Sequence, residues 1–363
     1  MILQLVADDG PPIFPGTRYW SIFISMKPIF PAAYSTLCPD ALSSLLSEKY
    51  DVGTVQCKLL VRGVGDTYLV TSSQNRYILR VYRTSHRSLP QIREEVALLT
   101  ALKEANVAVS YPISDISGQA ILKLEAAEGE RYAVLFSYAP GQAARQLNEN
   151  QLRHLGHEMA RFHHVSATIR LGGERWNFDL GTTVFKPLAM LKPAFVEDAE
   201  GYAWLLEMAD RIAKKLSSVH TAEFSKGYCH FDFLPKNFHF ENDAVTFFDF
   251  DFMGYGWLVN DIMTFWQHLA LEVYTGRMKQ QAADDAYHIF LDGYRTSRTI
   301  SKQELAAVPY LSPGFWLFYM GFHTTHDQFF AFTQPAQVKS YVGFLRHIVN
   351  TYWDKEGDSQ HFV

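Results

Sequence analysis

The sequence predicts an α+β protein with two lobes: a small N-terminal antiparallel β-sheet lobe carrying one helix, and a larger, mainly helical C-terminal lobe. Three observations carry this. Between about 55 and 137, five short runs rich in β-branched and aromatic residues (VQCKLLV, TYLVT, RYILRVY, AILKL, RYAVLFS) are interrupted by a single helical stretch. Beyond the break at Pro140 and Gly141, helical spacing dominates to the C-terminus. The 363 residues also exceed the ~250–300 at which single cores stop growing. The expected division is 1–44 as extension and lead-in, 45–140 as small lobe and 141–363 as large lobe.

In chain order, residues 1–25 hold Asp8 and Asp9, then Gly10, Pro11, Pro12, Pro15 and Gly16, without the basic start and apolar centre of an export signal. They read as a loose extension before Met26, and no function is placed there. Gly63 and Gly65 mark a turn between the first two strands. Alternation along the third strand sets Ile78, Arg80 and Tyr82 on one face. In LPQIREEVALLTALKEA, Ile92, Val96, Leu99 and Leu102 fall at helical spacing, with Pro90 at the start. Asn148 and Gln151 form a capping pair ahead of Leu152, Leu155, Met159 and Phe162. Further helices are expected near 199–218, 258–275, 279–297, 301–308, 313–330 and 335–353, with Ser301 and Glu304 as a second capping pair. Only two strands are expected in this lobe, around Asn237 and Asp249, joined by a turn at Glu241, Asn242 and Asp243.

Composition narrows the function. Hydrophobic residues make up 48% and charged residues 20%, as in an ordinary globular protein, while 15% aromatic calls for a large core or an aromatic pocket. A net charge of -5 supplies no basic field for nucleic acid, so a small metabolite is the expected partner. Cys38, Cys57 and Cys229 share no metal or disulfide spacing, and the cytoplasm is the expected compartment. Cys229 reads as a small core residue. The apolar run at 313–322 is shorter than the roughly 20 residues of a membrane span, so no membrane contact is expected.

The segment YCHFDFLPKNFHF, followed after a polar turn by FFDFDFMGYGWLVNDI, sets Asp232, Asn237, Asp249 and Asp261 among aromatic residues. Buried carboxylates are costly unless they bind metal, share a proton or accept several hydrogen bonds. Phosphoryl transfer from a nucleotide needs such groups: a carboxylate for the proton of the attacking hydroxyl, oxygen ligands for Mg²⁺, and cations or amides around the phosphates. Asp232 lies five residues before Asn237, so one can face the hydroxyl while the other reaches back to metal. Asp249, on the returning strand, can close the metal site, and Asp251 is its alternative; Mg²⁺ takes few protein oxygens beside phosphate and water. A turn-stabilising pair is the structural alternative for Asp232 and Asn237, and a loop anchor is the reading for His230.

HFDFLPKN followed by FDFDFMGYGWLVNDI resembles the aminoglycoside phosphotransferase and choline kinase superfamily, with a form similar to type II homoserine kinases. The resemblance covers about 55 to 270 and implies a protein-kinase-like fold. It implies Asp232 as catalytic base, Asn237 and Asp249 as metal ligands, and Asp261 as the acid that braces the loop. Phe231 departs from the family, which commonly has Gly there. The resemblance further implies that Gly63 and Gly65 belong to a phosphate-covering hairpin, that Arg80 takes a position often held by Lys and pairs with Glu95, and that Phe136, Ser137 and Tyr138 line the adenine pocket. The implied activity is transfer of the γ-phosphoryl of ATP, with GTP left open, to a hydroxyl of a small molecule such as an amino alcohol, a homoserine-like or an aminoglycoside-like acceptor. A bacterial Ser/Thr protein kinase and a silent nucleotide-binding protein are the alternatives. The stretch after Asp249 is too short for a peptide-docking activation loop. Acceptor contacts are sought among Trp266, His268, Trp316, Tyr319, His323, His326 and Asp327, for most of which helix core is the competing reading; aromatic faces there could hold an amine.

Overall fold

The computed structural model describes residues 30–353, so the extension expected at 1–25 lies outside the described residues. Helix α1 (Pro39–Lys49) leads into strands β1 (Gln56–Arg62), β2 (Gly65–Thr71) and β3 (Arg76–Tyr82), then helix α2 (Leu89–Glu104) and strands β4 (Pro112–Ile113), β5 (Leu122–Ala126) and β6 (Gly129–Ser137). The sheet is antiparallel throughout, in order β1-β2-β3-β6-β4, with β5 also pairing β6, on the same edge as β4 and opposite β3. Alternation along β2 and β3 buries Tyr68, Val70, Leu79 and Val81 against Leu42 and Leu46 of α1. The opposite side packs on α2, which starts with a full capping box at Ser88 and Gln91. Ile92, Leu99 and Leu102 of α2 belong to the same apolar cluster as the large lobe, so one core runs through both.

The connection between lobes turns at Gly141, whose φ of 83° favours glycine. A Cβ there would also lie 2.0 Å from the Phe240 carbonyl oxygen. The large lobe continues with α3 (Glu149–Ser166), β7 (Trp176–Phe178), α4 (Lys186–Leu191), α5 (Ala199–Ser217), β8 (Lys226–Cys229), the hairpin β9 (Phe238–Glu241) and β10 (Ala244–Phe247), and β11 (Gly254–Trp257). Helices α6 (Val259–Tyr274), α7 (Gln280–Arg295), α8 (Lys302–His323) and α9 (Pro335–Ile348) complete it. Among the described residues, no helix is long and apolar enough to cross a membrane.

Two expectations are corrected. Beyond the hairpin β9–β10, the large lobe holds a second small sheet, in which β11 pairs with β7 in parallel and with β8 antiparallel. Its central strand alternates Gly254 and Gly256 with Tyr255 and Trp257; a Cβ on Gly254 would sit 2.6 Å from the Trp176 carbonyl oxygen, so the backbones meet only because glycine is there. The helices expected at 301–308 and 313–330 instead form one helix, α8, that runs through Pro309 and Pro313 and ends at His323. Pro313 lacks the N–H that would bond the Pro309 carbonyl, and the indole Nε1 of Trp353 donates to that carbonyl at 2.8 Å instead.

Candidate active site

Strand β8 delivers the chain to His230, Phe231 and Asp232, and the first turn of α6 holds this loop from beneath. Asp261, fully buried, accepts the backbone N–H of His230 at 2.9 Å and of Phe231 at 2.7 Å through its two oxygens. His163 of α3 reaches the same carboxylate with Nε2 at 3.0 Å, while its Nδ1 lies 2.9 Å from the Tyr294 hydroxyl. Burial pushes the His163 pKa down, so the neutral ring donates from Nε2 to Asp261 and accepts from Tyr294 at Nδ1.

Phe231 stands in the left-handed region at φ 63°, where a side chain costs about 1–2 kcal/mol. Its ring stacks on Phe178 at 3.7 Å and meets Phe318 edge-on at 5.3 Å. That packing holds a non-glycine residue in a backbone shape suited to glycine. His230 is engaged at both ring nitrogens, with Nε2 donating to the Phe248 carbonyl at 2.9 Å and Nδ1 accepting the Asp232 N–H at 3.3 Å. It anchors the loop.

Asp232 is 4% exposed, and its Oδ2 accepts from Asn237 Nδ2 and Lys236 Nζ, each at 2.8 Å. Its Oδ1 is buried without a partner. Asn237 ends the short 3-10 turn Pro235–Asn237 and also donates Nδ2 to the Asp232 carbonyl at 2.8 Å, which leaves its side-chain carbonyl oxygen for other ligands. Asp249 lies just past β10 rather than within the returning strand, in a left-handed conformation at φ 63°. Its side chain is 43% exposed and forms an ion pair with Arg80.

Arg80 also contacts Glu95 of α2 at 3.1 Å, so one guanidinium bridges the two acids. Asn237, Asp249, Arg80 and Glu95 line one cleft of about 400 Å³ between the lobes, with Ile78, Leu99, Phe136 and Phe250 as apolar walls. Tyr138 lines it as well, under the guanidinium of Arg76 at 4.1 Å. Ser137 does not. Its hydroxyl accepts the Tyr111 N–H at 3.0 Å and its carbonyl accepts from the Ser110 hydroxyl at 2.6 Å, and it is Ser110 that faces the cleft. Gly63 and Gly65 also stay off the cleft wall, which is made by Leu60, Val61 and Thr67 on either side of the turn. The Gly63 N–H bonds the Gly65 carbonyl at 2.9 Å, closing that turn.

Asp251 is excluded from the cleft. It is 2% exposed, with Arg87 Nε at 3.2 Å and His86 Nε2 at 2.6 Å. Burial alone would raise its pKa, but Arg87 and His86 hold it well below the usual carboxylate range. Arg175 donates to the Asp251 carbonyl at 2.6 Å and to Glu95 Oε2 at 2.6 Å, joining this seam to Arg80. Sequence reasoning missed His86, Arg87, Arg175 and Lys236: the first three lie in loops without periodicity, and nothing local marks their partners.

On the other side of Asp232 stands α8. Tyr319 faces Asp232 with its hydroxyl, and burial, the charge of Asp232 and the approach of the hydroxyl to that carboxylate, with the charges of Asp249 and Asp251, push its phenol pKa well up. Trp316, Tyr319 and His323 follow one another at helical spacing on one face, and Trp316 Nε1, Tyr319 Oη and His323 Nδ1 are buried without partners. Trp266 instead packs against Tyr352 in the core, His268 lines a separate cavity, and His326 is tied to His86 at 3.2 Å.

Among the described residues, no cluster of three or more His, Cys, Asp or Glu side chains can hold a metal ion. Asn237 and Asp249 on one cleft wall still suit Mg²⁺, which binds few protein oxygens and completes its octahedron with phosphate and water.

The model of the phosphotransferase enzyme family matches residues 57–298. An uncharacterized protein of Deinococcus radiodurans is 32% identical over 294 residues, covering 80% of this chain and 84% of its own. The homoserine kinase of Gluconobacter oxydans is 26% identical over 298 residues, 78% of this chain and 86% of its own. Among solved structures, an amicoumacin kinase in complex with AMP-PNP and Ca²⁺ superimposes with a TM-score of 0.66 at 19% identity, covering 86% of this chain and 93% of that one.

Proposed function

Because this chain belongs to the phosphotransferase enzyme family and is a kinase, we propose that it moves the γ-phosphoryl group of ATP to a hydroxyl of a small molecule, with Asp232 as base. One observation carries the reading: Asp232 is buried with Oδ2 held by Asn237 and Lys236 while Oδ1 stays unpartnered. An oriented carboxylate with one free oxygen is what a general base requires. The acceptor oxygen bonds to the γ-phosphorus, the bond from that phosphorus to the β–γ bridging oxygen breaks, the hydroxyl proton passes to Asp232 Oδ1, and ADP leaves with the bridging oxygen.

The carbonyl oxygen of Asn237 and the carboxylate of Asp249 would hold Mg²⁺, which supplies charge neutralisation across the β- and γ-phosphates when bound. Arg80, kept in place by Glu95, faces the phosphate end of the cleft, and Phe136 and Tyr138 give the base its walls. In this reading residues 45–140 carry nucleotide binding and 141–363 carry the base, metal and acceptor sites. The acceptor enters between Asp232 and the Trp316–Tyr319–His323 face, whose unpartnered polar atoms suit a compound with several hydrogen-bonding groups. Relatives that phosphorylate homoserine or amicoumacin favour hydroxylated amines.

The test is labelled ATP with Mg²⁺ against a panel of amino alcohols, hydroxy amino acids and aminoglycosides, and separately against protein substrates, with Asp232→Asn as control. Label should enter a small molecule and fall by about 10²–10⁴ in the variant. Labelling of proteins alone would overturn the acceptor class, and full activity in Asp232→Asn would overturn the base.

A further inference from the structure

Lys236 has no role in the site as described so far beyond its contact with Asp232, yet its ammonium sits where three walls meet. Its Nζ is 2.8 Å from Asp232 Oδ2, the oxygen opposite the free one. It lines the nucleotide cleft beside Asn237 and Asp249, and the carboxylates of both Asp232 and Asp249 act on its charge. On the acceptor side, it is close enough to His323 to help keep that ring neutral.

The other cation lining the cleft is committed. Arg80 is shared between Glu95 and Asp249, whereas Lys236 has three donors and one contact, on Asp232. Its side chain is 60% exposed, so it supports no core. A cation on a flexible stem beside the base, facing the cleft with free donors, matches the charge that develops on the equatorial oxygens of a loose phosphoryl transition state.

We propose that Lys236 is a catalytic residue that meets the transferred phosphoryl group, holding its oxygens as the group passes from the cleft toward the hydroxyl at Asp232. This rests on the phosphoryl-transfer reading above. Lys236 keeps one donor on Asp232 Oδ2 while the others turn to phosphate, so it ties the position of the base to that of the group in flight.

The experiment compares wild type, Lys236→Ala, Lys236→Arg and Asp232→Asn in two measurements. The first is binding of MgADP alone and of MgADP with aluminium fluoride, a mimic of the group in flight, by calorimetry. The second is the Mg²⁺-dependent transfer of label from ATP to water or to an accepted hydroxyl. Lys236→Ala should bind MgADP within about threefold of wild type, lose the extra affinity conferred by aluminium fluoride, and transfer about 100-fold more slowly, as when one transition-state donor is removed. Lys236→Arg should recover part of both losses. Transfer by Lys236→Ala within about threefold of wild type, or a loss of MgADP binding as large as the loss of transfer, would overturn the assignment. A fully active Asp232→Asn beside an impaired Lys236→Ala would remove the base and leave Lys236 in place; the reverse pattern would remove Lys236 alone.

Discussion

Asp249 and Asp251 share one short turn and belong to different regions, the cleft wall and the buried seam between the lobes. Asp249 is 43% exposed in a left-handed backbone and faces the cleft, where its partner is a shared arginine. Asp251 is 2% exposed and closed in by Arg87, His86 and, at its carbonyl, Arg175. A carboxylate whose surroundings are complete holds structure together, and one whose surroundings are open can take a ligand. The same contrast separates Asp261, whose oxygens are filled by backbone N–H groups and His163, from Asp232, which keeps Oδ1 free.

The largest effect on folding should come from breaking the seam. Asp251→Asn leaves the buried Arg87 without its direct ion-pair partner, at a cost of about 3–5 kcal/mol in urea unfolding. Next comes Asp261→Asn, which weakens charge-assisted bonds to the loop that carries Asp232; a loss of about 1.5–3 kcal/mol is expected, with the melting temperature falling before the pH dependence of turnover changes.

The smallest effect is in pH. Burial, with Lys236, pushes His323 down to about 4, and burial also lowers His163 and His326. Between about 6.5 and 4 the unfolded chain therefore binds more protons at these sites than the folded one, so stability falls as pH falls through that window. A melting-temperature series from pH 7 to 4.5 should decline. His323→Gln should flatten it slightly, and an unchanged slope would remove His323 from the cause.

Much of this was legible in the sequence because it is local. Both lobes, the capping pairs at Asn148 and Ser301 and the turn at Asn242 follow from periodicity and spacing, whereas the Arg80–Glu95 pair was an expectation of the family resemblance. The parts that were not legible depend on contacts distant in sequence. The β11 strand hides because half its residues are glycines without a hydrophobic signal, and its pairing with β7 spans the lobe. Helix α8 hides because two prolines argue for a break, and only Trp353 shows where the freed carbonyl goes. Ser137 falls between two cleft residues, Phe136 and Tyr138, yet strand alternation turns its side chain to Tyr111. The two acids of the 249–251 turn look alike in sequence, and only Arg87 and His86, from the loop before α2, tell them apart.

The most direct measurement is calorimetric titration of ATP into wild type, Asp249→Asn and Asp251→Asn, with and without Mg²⁺, alongside their melting temperatures. Asp249→Asn should melt close to wild type and lose at least about tenfold of the Mg²⁺-dependent gain in ATP affinity, while Asp251→Asn should melt lower and keep that gain. A stable Asp251→Asn without the gain, beside an Asp249→Asn that retains it, would contradict the division between open and closed carboxylates.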